Sequence, residues 1–118
     1  MTTEKGYNGW TNYETWAAKL WMDNEEGSYR HWDSEAQDAW DDAEADGTFT
    51  RDEVASRELA EKLKEEHESA MPDVQGLFSD LLTAALSEVN WHEIAASLIE
   101  DVDKEEEADE EEETEVSP

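Results

Sequence analysis

The chain predicts an all-α fold: a compact bundle of about five short amphipathic helices with a disordered acidic C-terminal tail. Three observations predict it. Apolar residues recur at intervals of three and four in five separate stretches, which places them along one side of a helix. No alternating apolar–polar run is long enough for a strand, though Gly47-Thr-Phe-Thr50 could be briefly extended. Between the stretches stand glycine, proline and Ser/Thr/Asn residues suited to starting or stopping helices.

Residues 1–10 read as an irregular N-terminal arm, with Gly6, Asn8 and Gly9. The first helix carries Tyr13, Trp16, Ala17, Leu20 and Trp21 as one apolar stripe. Thr11 with Glu14 fits a capping box, so it starts at Asn12 and ends near Asn24, where Gly27 breaks the chain. The second helix runs from about Ser28 to Ala45 on Tyr29, Trp32, Ala36, Ala39, Trp40 and Ala43. Asp46-Gly47 stops it, with the glycine suited to a left-handed residue after a helix. Thr50 and Glu53 form a second box, and a third helix follows with Val54, Leu59, Leu63, His67 and Ala70 in line. Pro72 ends it. A fourth helix, about Asp73 to Glu88, presents Leu77, Phe78, Leu81, Leu82, Ala85 and Val89. Asn90 and Glu93 give a third box, and the last helix, from Trp91 to about Val102, carries Ile94, Ala95, Leu98 and Ile99. The helical domain is thus 11–102, and the tail 103–118.

Charge is the dominant compositional fact: 35 acidic against 8 basic residues, a net charge of −27 on 118 residues. Residues 100–118 hold twelve acids and one lysine, or −11; residues 1–99 hold 23 acids and seven bases, or −16. The tail has almost nothing to bury, which predicts disorder, but the ordered part is acidic in its own right. Low hydropathy, −0.98 on average, argues against order, and six tryptophans argue for a core. With no cysteine, disulfides and thiolate metal sites are excluded. No apolar run follows Met1-Thr-Thr-Glu-Lys5, and none approaches the roughly 20 residues of a membrane span. The expectation is a soluble, cytoplasmic domain, repelled by DNA and by anionic lipid, with a basic partner. Self-repulsion predicts stability that rises with salt.

The segment Tyr7-Asn-Gly-Trp-Thr-Asn-Tyr-Glu-Thr-Trp16, with Leu20-Trp21 and Asn24-Glu-Glu-Gly27, resembles the opening of a family of small proteins encoded by tailed phages, plasmids and integrated elements of bacteria and archaea. The later stretches Glu65 to Pro72, Leu77 to Leu82 and Ala85 to Ala95 resemble it too. The resemblance covers most of 7–99 and implies a mobile-element origin. It brings no established activity and hence no catalytic residues. The extreme charge and the glutamate-rich tail lie outside the likeness.

Catalytic chemistry finds little purchase. Ser28, Lys64 and Val89 stand three residues before His31, His67 and His92, so the Glu-x-x-His pairs of a di-iron bundle are absent. Glu88 and His92 alone are weak grounds for a metal. No Gly-rich phosphate loop, Gly-x-Ser-x-Gly elbow or His-Glu-x-x-His motif occurs. Carboxylate pairs are too numerous for their spacing to mark acid–base catalysis. No enzyme activity, cofactor or metal is expected.

Tryptophans at helical spacing are usually core, which fits Trp16 and Trp21, while Trp10 could staple back onto the first helix. Trp32 and Trp40 lie on a helix otherwise lined by alanine; core is favoured, and an exposed aromatic contact for a partner is the alternative. The acidic face of helices two and three remains, with Glu35, Asp38, Asp41, Asp42, Glu44, Glu58, Glu61 and Glu65 as the candidate binding residues. Carboxylates at i and i+3 or i+4 stand about 5–6 Å apart, on the scale of phosphates along a DNA strand. The leading expectation is a DNA mimic that blocks a basic, nucleic-acid-binding host protein, of anti-restriction or anti-CRISPR type. It resembles phage anti-restriction mimics in size, helicity and acidic end, not in sequence. The alternative is an accessory protein of a phage or plasmid in a salt-adapted host, its charge serving only solvation; the low lysine count of five agrees with it. The sequence leaves open a homodimer.

Overall fold

A computed structural model describes residues 6–104. Five helices follow in order: α1 (Tyr13–Asn24), α2 (Glu26–Asp42), α3 (Arg51–Ser69), α4 (Leu77–Glu88) and α5 (Trp91–Asp101). The described residues form no strand, only a bridge between Tyr7 and Trp10. Those two exchange backbone hydrogen bonds of 2.8 and 2.7 Å around Asn8 (φ 48°) and Gly9 (φ 89°). Asn-Gly is the natural sequence for a two-residue turn with both φ positive, so this part of the arm is a tight turn rather than irregular chain.

The cap of α1 is Asn12, not Thr11. Its Oδ1 accepts from the Thr15 amide (2.9 Å) and hydroxyl (2.6 Å), and its Nδ2 donates to the Glu88 carbonyl (2.7 Å). Thr15 is wholly buried, and its Oγ1 also accepts the Asn90 amide at 2.8 Å. Four residues thereby tie the start of α1 to the junction of α4 and α5. The Thr11 amide goes instead to Glu93 Oε1 (3.1 Å).

Gly27 does not break the chain. It lies in the first turn of α2, which begins at Glu26; the break is the extended residue Glu25 (φ −101°, ψ 119°). α2 ends at Asp42 because Ala43 turns extended (φ −80°, ψ 146°) to bury its methyl in the core. Asp46-Gly47 does not cap it either. The Asp46 carboxylate accepts the amides of Thr48 and Phe49, both at 2.7 Å, a side-chain-closed turn, and Gly47 is not among the glycines at positive φ. The Thr50–Glu53 box starts α3 as expected. α4 begins four residues later than the spacing implied, after Gly76 at φ 65°, ψ −135°, a conformation that side chains other than hydrogen resist. Asn90 caps α5, accepting from the Glu93 amide at 3.0 Å.

α3 and α5 form the most extensive helix pair, and α2 lies against both. Ala55 and Ala95, both fully buried, keep the facing surfaces thin so that Leu59, Leu63, Ile94 and Ile99 interdigitate. Trp32, Trp40, Trp91 and Met22 close the core. The His67 ring stacks between Trp32 (5.7 Å, 16°) and Trp91 (4.8 Å, 23°), with Nδ1 2.8 Å from the Leu63 carbonyl.

The apolar stripe of α1 faces largely away from the bundle, and that of α4 turns only in part toward it, with Leu82, Ala85 and Val89 half-buried. α1 buries Thr15 and Met22 and packs Ala18 on the core. Tyr13, Leu20 and Trp21 point outward, and Trp21 is 72% exposed. Trp16 is half-buried beside Tyr7 (5.0 Å) and Tyr13 (5.6 Å). α4 contains no buried residue; Leu77, Phe78 and Leu81 are exposed. Its principal helix contact is α1.

Asp103 and Lys104, placed in the expected tail, are held against the domain. The Gln37 side-chain amide bonds both the carbonyl and the amide of Asp103, each at 2.9 Å. Lys104 lies 3.4 Å from Asp52 and 4.8 Å from the Trp40 ring. The rest of the tail, 105–118, and residues 1–5 of the arm lie outside the described residues. Among the described residues no helix is long and apolar enough to cross a membrane.

Candidate acidic docking face

α2 and α3 pair antiparallel. Cross-contacts join His31 to Glu66 (3.0 Å), Glu35 to Lys62 (2.8 Å) and the Trp40 carbonyl to Arg51 (2.8 and 3.1 Å). The pairing is sharpened at the turn end. The Arg51 guanidinium bonds one of the last carbonyls of α2, where cations are favoured, and lies 4.0 Å over the Trp40 ring. Arg57 covers Phe49 at 4.3 Å.

Between the two helices runs a shallow cleft of about 110 Å³. Glu35, Asp38 and Asp42 of α2 line it on one side, Glu58 and Lys62 of α3 on the other, with Ala39 and Leu59 beneath. Four of the eight carboxylates singled out in the sequence therefore share one feature. Lys62 sits in a strongly negative field. Its pKa is raised above 10.5, first by the hydrogen bond to Glu35, then by the charge of Glu35, with Glu66 and Asp38 adding to it. Glu35 is only half-exposed because of that pairing, while Asp38, Asp42 and Glu58 are open to solvent.

The model of a family of unknown function, DUF7249, matches residues 3–114. The chain belongs to that family. No curated protein and no solved structure matches it. The DUF7249 match spans all five helices and the acidic cleft, and it assigns no residue a role.

The other four candidate acids stand apart. Asp41 is exposed and takes a 3.2 Å bond from Gln37. Glu44 lies beyond the end of α2, in the connection to α3. Glu61 is exposed on α3 away from the cleft lining. Glu65 borders a separate open depression with Glu66, Ser69 and Ala70. Trp32 and Trp40 are buried, at 4% and 6% exposure. The core reading holds for both and the exposed aromatic contact does not: with alanine as their neighbours along α2, these two rings are what fills the space against α3 and α5.

Sequence reasoning missed Lys62, His31 and Glu66 as members of this face. The pairs 31/35 and 62/66 are each one helical turn apart, so an antiparallel α2–α3 hairpin would have brought them opposite each other; the spacing within either helix alone does not show it. It also missed a second cleft of about 390 Å³ between α1, α2 and α5, floored by Met22, Trp32 and Leu98 and rimmed by Asp23, Asp33 and Asp101. There Lys19 already pairs with Asp23 at 2.8 Å. Among the described residues no three His, Asp or Glu side chains gather into a metal-holding group.

Proposed function

We propose that the α2–α3 face imitates a nucleic-acid backbone and occupies the groove of a basic, nucleic-acid-binding host protein. The observation that carries this reading is the cleft with Glu35, Asp38 and Asp42 on one wall and Glu58 on the other. α2 holds Glu35, Asp38 and Asp42 in a row with steps of about 5–6 Å, and Glu58 faces them from α3, whose axis packs roughly 8–10 Å away. A rigid row of anions with a further carboxylate across the cleft offers a DNA-binding surface the charge pattern it is built to take. Affinity comes from released counterions and long-range steering, so it falls steeply with salt. Lys62 tempers one wall by holding Glu35. The mobile-element resemblance supplies a use, the blocking of a host nuclease or other defence protein of restriction or CRISPR type. The role is binding, without catalysis or cofactor.

The test is a pull-down from host lysate followed by elution in rising salt and by competition with duplex DNA. A nucleic-acid-binding protein should be recovered, displaced by DNA, and lost by the triple variant Asp38→Lys, Asp42→Lys, Glu58→Lys. Lys62→Glu should strengthen capture. Undiminished binding by the triple variant overturns mimicry and leaves the charge as solvation for a salt-rich cytoplasm.

A further inference from the structure

The geometry points to a second copy of this chain as the occupant of the apolar surface on α1 and α4, and hence to a two-fold dimer. This inference is independent of the acidic-face reading. α1 turns Tyr13, Leu20 and Trp21 outward, and α4, whose principal helix contact is α1, exposes Leu77, Phe78 and Leu81. These six are 38–72% exposed. With full areas of about 150–250 Å² for large side chains, that leaves roughly 700 Å² of apolar-rich surface. A monomer's largest apolar patch is ordinarily about 300–600 Å², and a standard interface takes about 800 Å² from each partner. Summed over the two adjacent helices, the area is close to what one side of a stable dimer needs.

Charge selects the occupant. In a chain with 35 acidic residues, Leu77 to Ser87 contains a single charged residue, Asp80. A basic partner finds little there to pair with and is drawn to α2 and α3 instead. A second apolar face poor in charge is the complement of the α4 side of this one, and a two-fold contact pairs the surface with itself. α4 makes no extensive contact with α2 or α3, so pairing through it keeps the two acidic clefts apart, where their repulsion is least.

The experiment is sedimentation of the full chain over a concentration series at about 0.1 M and 1 M salt, across which the screening length falls from about 10 Å to 3 Å. A monomer–dimer equilibrium is expected, with a dissociation constant at least about tenfold lower at high salt as self-repulsion is screened. This trend is opposite to that of mimicry, so the two readings fail separately. Two variants bear on the face. Phe78→Asp with Leu77→Asp places acids in the first turn of α4, where a helix favours them. Phe78→Ser with Leu81→Ser adds no charge. Both should be monomeric in all conditions with the far-UV circular dichroism of the wild type, and the triple variant of the acidic face should dimerise at least as well as the wild type. A wild-type chain that is monomeric at about 100 µM in 1 M salt, an open series of larger species, or dimers that survive the serine pair overturns the proposal. So does a monomeric chain whose host partner is lost with the serine pair, which would give the face to that partner.

Discussion

Replacing Thr15 by valine isolates the knot that joins α1 to the α4–α5 junction. Valine has nearly the shape of threonine, so packing in this fully buried site is preserved while the hydroxyl is removed. Two bonds go with it: the one donated to Asn12 Oδ1 and the one accepted from the Asn90 amide. Asn12 Oδ1 keeps the Thr15 amide, so that loss is mild. The Asn90 amide loses its acceptor beside a buried residue, at about 1–3 kcal/mol. A net cost of about 2 kcal/mol is expected, and at about 4–8 °C per kcal/mol for a domain of this size the melting temperature falls by roughly 10 °C. The comparison is Thr15→Ser, which keeps both bonds and loses one methyl, about 1 kcal/mol. Both are measured by thermal denaturation at one fixed salt concentration, since the net charge makes stability sensitive to ionic strength. A valine variant as stable as the wild type would refute the reasoning, because the hydroxyl would then contribute nothing beyond its shape.

Further outcomes follow from single residues. Gly27→Ala should stabilise by somewhat less than about 1 kcal/mol, because Gly27 sits in the first turn of α2 with open space at its Cβ position, whereas Gly76→Ala should destabilise by about 1–3 kcal/mol through its positive φ; paired urea denaturations read both signs. His67→Ala should cost about 2 kcal/mol by removing two stacked ring contacts along with the bond to the Leu63 carbonyl, and His67→Phe should restore part of it. The Asp46 carboxyl is held below 3.8, chiefly by the Phe49 amide and then by that of Thr48. Its contribution is therefore present above that ordinary value and lost as pH falls through the lower, folded value, so Asp46→Asn should flatten the acid end of a melting-temperature profile below about pH 4.

Helix number and order were legible because each stretch carried its own period and its own stop. Pro72, the Thr50–Glu53 box and the Asn90 cap placed boundaries well, since their chemistry is local. What failed was the direction of the apolar stripes. Periodicity shows that Tyr13, Leu20 and Trp21 share a side of α1 but not which side meets the bundle. That side belongs to Thr15, Ala18 and Met22, a weak hydropathic signal made strong by the bonds of Thr15 to Asn12 and Asn90. Gly27 misled in a related way. Glycine weakens a helix without forbidding it, and the extended Glu25 ends α1 first. In the candidate face, four of the eight acids lie at the helix–helix seam, while Lys62 and Glu66 were missed, because their places depend on partners 27 and 35 residues away in the chain.

The loose attachment of α4 gives the domain an uneven resistance to opening. Helices that bury side chains in a shared core open only when the core does; a helix that only rests on it, as α4 does through Leu86, can detach at smaller cost. α4 is the helix with no buried residue, and its extensive contacts run to a single neighbour. Its amides should exchange with solvent well ahead of those in α3 and α5, and its ends are the natural first sites for a protease. The helix that looks most hydrophobic in isolation is therefore the one the monomer holds least firmly, and whatever covers Leu77, Phe78 and Leu81 would be felt first as a slowing of that local exchange.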